Sequence, residues 1–309
     1  MAKKNKTSEN FKALRYMSVA IITIFILTVV PIVYTVWLSF TNKQMAQRKG
    51  DYHMVGFANY VDVFTGAFKD VFFRVFGWTL IFAVVSTLGT FLVGLILALL
   101  LNNPNIKERG FYKALLILPW ALPVAIAILA WQGLLNGSNG AINNILESIG
   151  LARIPWLENA FYARVAVIFV NIWLGFPYMM NICLGALASI PQSYYEAARI
   201  DGANAFTQFY KITLPSIAQT AYPLVISSFA FNFNNFGSAY LITEGKPYRK
   251  NDSQYAGATD ILASVNFKLS STGDGKYYLA ATIAIIIFIL LAVITYFQMK
   301  ASGQFEEVE

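Results

Sequence analysis

Ionisable side chains are scarce in this chain and are kept out of its apolar segments. Charged residues make up 13% of the 309 positions, against 57% hydrophobic and 16% aromatic. That balance is too apolar for a water-soluble protein of this size and marks an integral membrane protein. All 16 Asp and Glu residues fall outside the long apolar runs or at their edges, and so do the Lys and Arg residues. Proton- and sodium-coupled carriers commonly hold carboxylates or other ionisable groups at mid-membrane depth, and this sequence offers no such relay. The single cysteine, Cys183, excludes an intrachain disulfide and reads as a small core residue in an apolar run. The lone His53 stands in a polar connection without a second ligand residue nearby, so no metal site is expected. A P-loop is also missing: Gly273-Asp274-Gly275-Lys276 lacks the G-x-x-x-x-G-K-[ST] spacing. The chain is expected to carry no ATPase site and no cofactor of its own. Its net charge of +7 is scattered over short polar connections without a basic stripe interleaved with aromatics, which argues for membrane topology and headgroups rather than nucleic acid.

What is present is a series of long apolar runs. Residues 1–13 are polar and basic and read as a cytoplasmic start. About Tyr16 to Phe40 comes an apolar stretch longer than the ~20 residues a bilayer demands. It has no small-x-small cleavage pattern and is expected to be a retained first span. Further spans are expected at about Val75 to Leu101, Ala114 to Leu135, Ala163 to Ile190, Ser216 to Ile242 and Tyr277 to Met299. Without two-residue alternation a barrel is excluded, so the fold class is an all-α polytopic membrane protein with six transmembrane helices, residues 14–309 forming one membrane domain. Five basic residues precede the first span, which favours both termini in the cytoplasm. Three long connections, at about 41–74, 136–162 and 243–276, then lie outside.

One polar, helix-forming segment separates two of the apolar runs: Ile190 to Pro215, I-P-Q-S-Y-Y-E-A-A-R-I-D-G-A-N-A-F-T-Q-F-Y-K-I-T-L-P. Pro191 stops the preceding helix, and Ser193 with Glu196 has the spacing of a capping box. Asp201-Gly202 is a turn and N-cap signal, after which Phe206, Phe209 and Ile212 recur at helical spacing until Pro215. Two short helices hinged at Gly202 are predicted. Glu196-Ala197-Ala198, Asp201-Gly202-Ala203 and Ile212-x-Leu214-Pro215 resemble the EAA loop of the membrane subunits of ABC importers. The resemblance implies that this loop, Phe206 included, is a cytoplasmic coupling helix that docks on a separate ATPase subunit.

Within the spans the polar groups are neutral and patterned. Asn171, Gly175 and Tyr178 are spaced i, i+4, i+7 on the fourth span, and Ser228, Asn232 and Asn235 repeat that spacing on the fifth. Phe229, Phe233 and Phe236 run beside the second set. Amides and hydroxyls next to aromatic faces suit a neutral polyhydroxylated ligand with apolar C–H patches, a sugar. Such groups also serve as interhelical contacts, and a matched pair of triplets favours a pathway lining.

The stretches Asn171-Ile-Trp-Leu-Gly175-Phe-Pro-Tyr178 and Ser228-Phe-Ala-Phe-Asn232-Phe-Asn-Asn235 resemble the MalF-type permeases of maltose and maltodextrin importers. The resemblance covers most of the chain from Tyr112 onward and implies the type I ABC importer permease fold. It also implies sugar contacts at those six positions. In Leu118-Pro119-Trp120-Ala-Leu-Pro123-Val124, Trp120 and Val124 stand where the family is expected to show Tyr and Ser. Trp120 is therefore counted as a stacking contact, favouring a longer or different glucan. The chain reads as a minimal version, with fewer leading helices and no large extracytoplasmic insertion.

The partners implied are a second homologous permease subunit, two cytoplasmic ATPase subunits that bind ATP and Mg, and an extracytoplasmic sugar-binding protein. The implied substrate is an oligosaccharide. Two other readings stay open from the residues: an importer subunit for another solute, such as another sugar or glycerol phosphate, and a stand-alone carrier.

Overall fold

The computed structural model describes residues 15–48, 50–248, 255–271 and 275–301; the expected basic start, residues 1–13, lies outside them. The chain divides into two compact units. One draws on Met1–Phe68 and Asn266–Phe288, the other on Lys69–Val265 and Ile289–Glu309. The architecture is all-α: among the described residues the only β feature is a single bridge between Thr41 and Met54.

In the first unit the long helix α1, Arg15–Ser39, has almost all its side chains exposed. Its hydroxyls turn back onto their own ladder, as in Thr23 to the Val19 carbonyl (2.8 Å) and Thr35 to the Pro31 carbonyl (2.9 Å). These hydroxyls are thereby satisfied within the helix, as a lipid environment requires. Beyond α1, the short helix α2, Ala58–Thr65, is tied back by Asn59, whose amide donates to the carbonyls of Ser39 and Thr41 at 2.8 and 2.7 Å.

In the second unit α3, Lys69–Leu101, packs along α7, Ala160–Ala188. Lipid supplies no hydrophobic drive between helices, so their approach depends on small residues. A Cβ on Gly94 would stand 2.7 Å from the backbone nitrogen of Met180, and one on Gly175 would stand 2.6 Å from Cγ2 of Thr90. Around this crossing lies a layer containing Leu95, Ala98, Met180, Cys183, Leu184 and Ile217. Cys183 is a fully buried free thiol. A second layer contains Trp78, Phe82, Ile128, Val167, Val170 and Ile242.

The third expected span is not one straight helix. It consists of α4, Arg109–Ala121, and α5, Val124–Leu134, bent by 92° where Leu122 goes extended before Pro123. The fifth is also divided. A 20-residue helix, α10, Leu214–Phe233, ends at Asn234, and α11, Phe236–Thr243, begins under an Asn235 cap. Among the described residues four helices are long and apolar enough to cross a membrane, or five with the bent pair as one span. Helix α10 is less apolar because it carries Gln219, Thr220, Ser227, Ser228 and Asn232.

Among the described residues, the connections expected outside carry folded structure. In 136–162 the short helix α6, Ala141–Ser148, presents a buried Asn143 that donates to the carbonyls of Gly137 and Ile154 and accepts from Ile154 N–H and Trp156 Nε1–H. After α11 the chain is pinned down onto the bundle. Trp78 Nε1 donates to the Thr259 carbonyl (3.1 Å), Arg164 Nε donates to the Ala258 carbonyl (2.8 Å), and the Arg164 guanidinium lies over the Trp78 ring. Helix α12, Leu262–Ser271, and helix α13, Tyr277–Ala301, are the last two helices of the chain among the described residues.

Because the α3–α7 contact depends on the missing side chain at Gly94, Gly94→Leu is expected to destabilise the detergent-solubilised protein by about 1–3 kcal/mol, the usual cost of overpacking. Gly77→Ala on the same helix, where an added Cβ meets nothing within 4 Å, is expected to leave the thermal unfolding midpoint unchanged or raise it.

Candidate functional site

The seven residues expected to contact substrate, Trp120, Asn171, Gly175, Tyr178, Ser228, Asn232 and Asn235, line one cavity of about 470 Å³. That volume is of the size used for small-molecule sites. The bend at Leu122–Pro123 contributes Trp120 and Val124, α7 contributes Asn171, Gly175 and Tyr178, and α10 contributes Ser228 and Asn232. Asn235 enters differently from the expectation. It is not a third turn on the face of Ser228 and Asn232, because α10 ends at Phe233; its side-chain oxygen caps α11 by accepting from Ser238 N–H at 3.3 Å. An asparagine at a break competes well for the N–H groups that a new helix leaves open.

Sequence spacing does not reveal how these amides meet. Asn171 Nδ2 donates to Asn232 Oδ1 (2.9 Å), Asn232 Nδ2 donates to Thr87 Oγ1 on α3 (3.0 Å), and Asn235 Nδ2 donates to Asn171 Oδ1 (2.9 Å) and Ser238 Oγ (3.1 Å). Asn171 and Asn232 are buried. The network joins α3, α7, α10 and the start of α11 while forming the polar part of the cavity wall. Interhelical bonding and cavity lining are therefore roles of the same side chains. Both hydrogens of the Asn235 amide are taken within the protein; Asn171 and Asn232 each have one remaining N–H.

The aromatic part of the wall also differs from expectation. Phe233 is buried against Phe229 and Phe76, with ring centroids 6.1 and 6.4 Å away, and Phe236 stacks on Tyr240 at 4.9 Å. They serve packing: α10 turns Phe229 and Phe233 toward its neighbours, and Phe236 lies beyond the break, on α11. The rings that line the cavity are Trp120, Tyr178 and Phe231, all well exposed, with Trp120 and Tyr178 6.4 Å apart. Phe231 is absent from the sequence-based set, although it sits three residues after Ser228 and so shares its helical face. Thr90, Leu174, Leu224, Ser227 and Ser238 also line the wall. No ionised side chain is among the lining residues.

The second candidate element is the loop 190–215. Helix α8, Gln192–Ile200, starts from Pro191 with no side-chain cap, so the expected Ser193–Glu196 capping box is not formed; Ser193 is already inside the helix. Pro191, extended and without an N–H, occupies the capping position itself. Glu196, Ala197 and Asp201 are exposed, whereas Ala198 is half-buried. The helix ends as a glycine-terminated turn: Gly202 has φ +76°, Gly202 N–H donates to the Arg199 carbonyl at 3.1 Å, and Ala203 N–H donates to the Ala198 carbonyl at 2.8 Å.

Asn204, not Asp201, then caps α9, Ala205–Gln208, accepting from Thr207 N–H at 2.8 Å. Asp201 is held at the end of α8 and is too far back to cap. Helix α9 does not stop before Pro215. It runs through a wide π-helical turn, Phe209–Thr213, straight into α10. Pro215 has no N–H to continue the ladder, and the wide turn lies where that bond is missing. Phe206 is exposed and stacks on Tyr210 at 6.3 Å.

This arrangement has counterparts among known proteins. The family described as "Binding-protein-dependent transport system inner membrane component" matches residues 90–304. The maltose/maltodextrin transport system permease protein MalF of Salmonella typhimurium is 42% identical over 251 residues, covering 80% of this chain and 49% of that protein. The Escherichia coli K12 protein of the same name is 40% identical over 250 residues, with the same coverage. The chain spans about half the length of the curated relatives it matches. Among solved structures, a chain of a bacterial ABC transporter involved in the import of the acidic polysaccharide alginate aligns over 98% of this chain and 99% of its own length, with a TM-score of 0.81 and 23% identity. An amino acid ABC transporter aligns with a TM-score of 0.54 and 16% identity over 82% of this chain and 100% of its own length. Both likenesses show the fold, that of the ABC importer permeases.

The amide network and the cavity lining separate under mutation. Asn171→Leu removes the donor to Asn232 and the acceptor of Asn235, and is expected to cost about 1–3 kcal/mol in thermal unfolding. Ser228→Ala, whose hydroxyl has no partner in the network, is expected to stay within about 0.5 kcal/mol of the parent.

Proposed function

The chain belongs to the family of binding-protein-dependent transport system inner membrane components, and from that premise we propose that it is the permease subunit of an ATP-driven importer for maltodextrin-like oligosaccharides. The observation that carries the cargo class is the cavity: amide and hydroxyl groups beside the rings of Trp120, Tyr178 and Phe231, with no ionised side chain among its lining residues. A sugar ring offers hydroxyls to the first set and C–H faces to the second. Identity of 40–42% with MalF proteins supports the same class. Trp120, Asn171, Gly175, Tyr178, Ser228, Asn232 and Asn235 are the proposed contacts, with Gly175 acting mainly by letting α7 approach Thr90.

The proposed assembly has a second permease subunit, two cytoplasmic ATPase subunits and an extracytoplasmic sugar-binding protein. ATP and Mg belong to the ATPases; this chain contributes no nucleotide site. Six spans, the bent pair and the broken fifth among them, would cross the membrane with both termini and the 190–215 loop in the cytoplasm. Glu196, Ala197, Ala198, Asp201, Gly202, Ala203 and Phe206 form the docking element. Closure of the ATPases moves the loop, and rigid-body rocking of the spans switches the cavity between the two sides. An importer for an anionic solute is the second reading, and it would require cationic groups from the partner permease.

The loop's role is tested by Gly202→Asp. Nothing lies within 4 Å of a Cβ at that position, so the substitution strains the φ +76° turn by about 1–2 kcal/mol and adds charge to the docking face without disturbing the spans. Membrane insertion is expected to be normal and sugar uptake by the assembled transporter abolished. In the same assembly, the ATPase is expected to be stimulated by binding protein loaded with maltodextrin and not by binding protein loaded with an unrelated solute. Normal uptake by the variant contradicts the coupling role.

A further inference from the structure

Helix α8 rests on the rest of the chain by a narrow foot. Of its nine residues, Tyr195 and Ala198 are half-buried and the other seven are exposed. The Tyr195 hydroxyl lies 2.9 Å from Oγ1 of Thr213, which is buried and closes the π-helical turn. Thr213 Oγ1 also points to the Gln208 carbonyl at 3.5 Å. Either hydroxyl can be the donor in the Tyr195–Thr213 pair.

The segment containing Thr213 is helical without interruption over residues 205–233, with Pro215 and Pro223 inside it. Its far end carries Phe231 and Asn232 at the cavity, about 28 Å from Thr213 at ~1.5 Å per residue. Between α8 and that segment the chain itself passes through Gly202 at φ +76°, a joint that can bend. Thr213 is the last residue of the π turn, and its hydroxyl meets that of Tyr195 there.

We propose that Tyr195 is a positioning residue: its hydrogen bond with Thr213 bypasses the Gly202 joint, so that a push on the exposed face of α8 moves the helical segment and its cavity end rather than bending the joint. The inference rests on the coupling reading of the loop given above and assigns, within it, the contact through which motion leaves α8.

The experiment uses the complete transporter, with partner permease, ATPases and binding protein, in proteoliposomes, and reads sugar imported per ATP hydrolysed. Tyr195→Phe and Thr213→Val are each expected to lower that ratio roughly three- to tenfold, the range set by one hydrogen bond. The double variant is expected to be no worse than either single one, because both remove the same bond. Thr213→Ser retains the hydroxyl and is expected to keep the parental ratio. A merely structural loss lowers import and hydrolysis together and leaves their ratio unchanged. Parental ratios in Tyr195→Phe and Thr213→Val, alongside abolished uptake in Gly202→Asp, overturn the proposal and leave the coupling reading intact. Normal uptake in Gly202→Asp overturns both.

Discussion

The structure of the larger unit depends on satisfying four amide and hydroxyl side chains, three of them buried and the fourth, Asn235, half-buried. Asn171, Asn232, Asn235 and Thr87 come from three helices and one cap, and each finds its partner in another member of the set. Removed from bulk water, an unsatisfied amide is costly, so the set holds only if α3, α7 and α10 keep their register. That register is in turn permitted by the bare surface at Gly94 and Gly175. The cavity is a consequence. Where the three helices are joined by amides, they set neutral polar groups into an otherwise largely apolar wall.

The two interruptions in the helical framework work on the same wall. The 92° bend at Leu122–Pro123 presents Trp120 and Val124 to the cavity, and the stop at Asn234 lets Asn235 leave the axis of α10 and reach Asn171. Proline and asparagine therefore act here as shaping residues, one by forbidding the helix and the other by offering its side chain as a cap. The uniform hydropathy of the runs conceals both.

Much of this is legible in the sequence, for reasons that also explain what is not. Long apolar runs declare membrane helices because length and composition suffice; Asn171, Tyr178, Ser228, Asn232 and Asn235 stand out as patterned polar side chains in such runs, Gly175 shares their spacing, and Trp120 enters only through the family resemblance. Gly202 is legible as the hinge, since only a tight turn explains Asp-Gly between two helix-forming stretches. Capping is not legible at either short helix. Pro191 and Asn204 hold positions that Ser193 and Asp201 would fill equally well by spacing, and only backbone geometry chooses between them. The aromatic face at Phe229, Phe233 and Phe236 misleads, because a helix with aromatics on every side does not say which side is inward. Phe231 is hidden by that same abundance. The partnership of Asn171 with Asn232, 61 positions apart, depends on helix register that no local pattern carries.

Likeness to an alginate importer chain at 23% identity shares a fold without deciding cargo, so the neutral wall is what separates the two chemistries. The most direct measurement is import by the assembled transporter, in proteoliposomes, of labelled gluco-oligosaccharides set against uronic-acid oligosaccharides of equal length, each delivered at saturating concentration. A cavity lined by amides, hydroxyls and three aromatic rings predicts import of the neutral series and none of the acidic one. Import of the acidic series at a comparable rate would contradict the account.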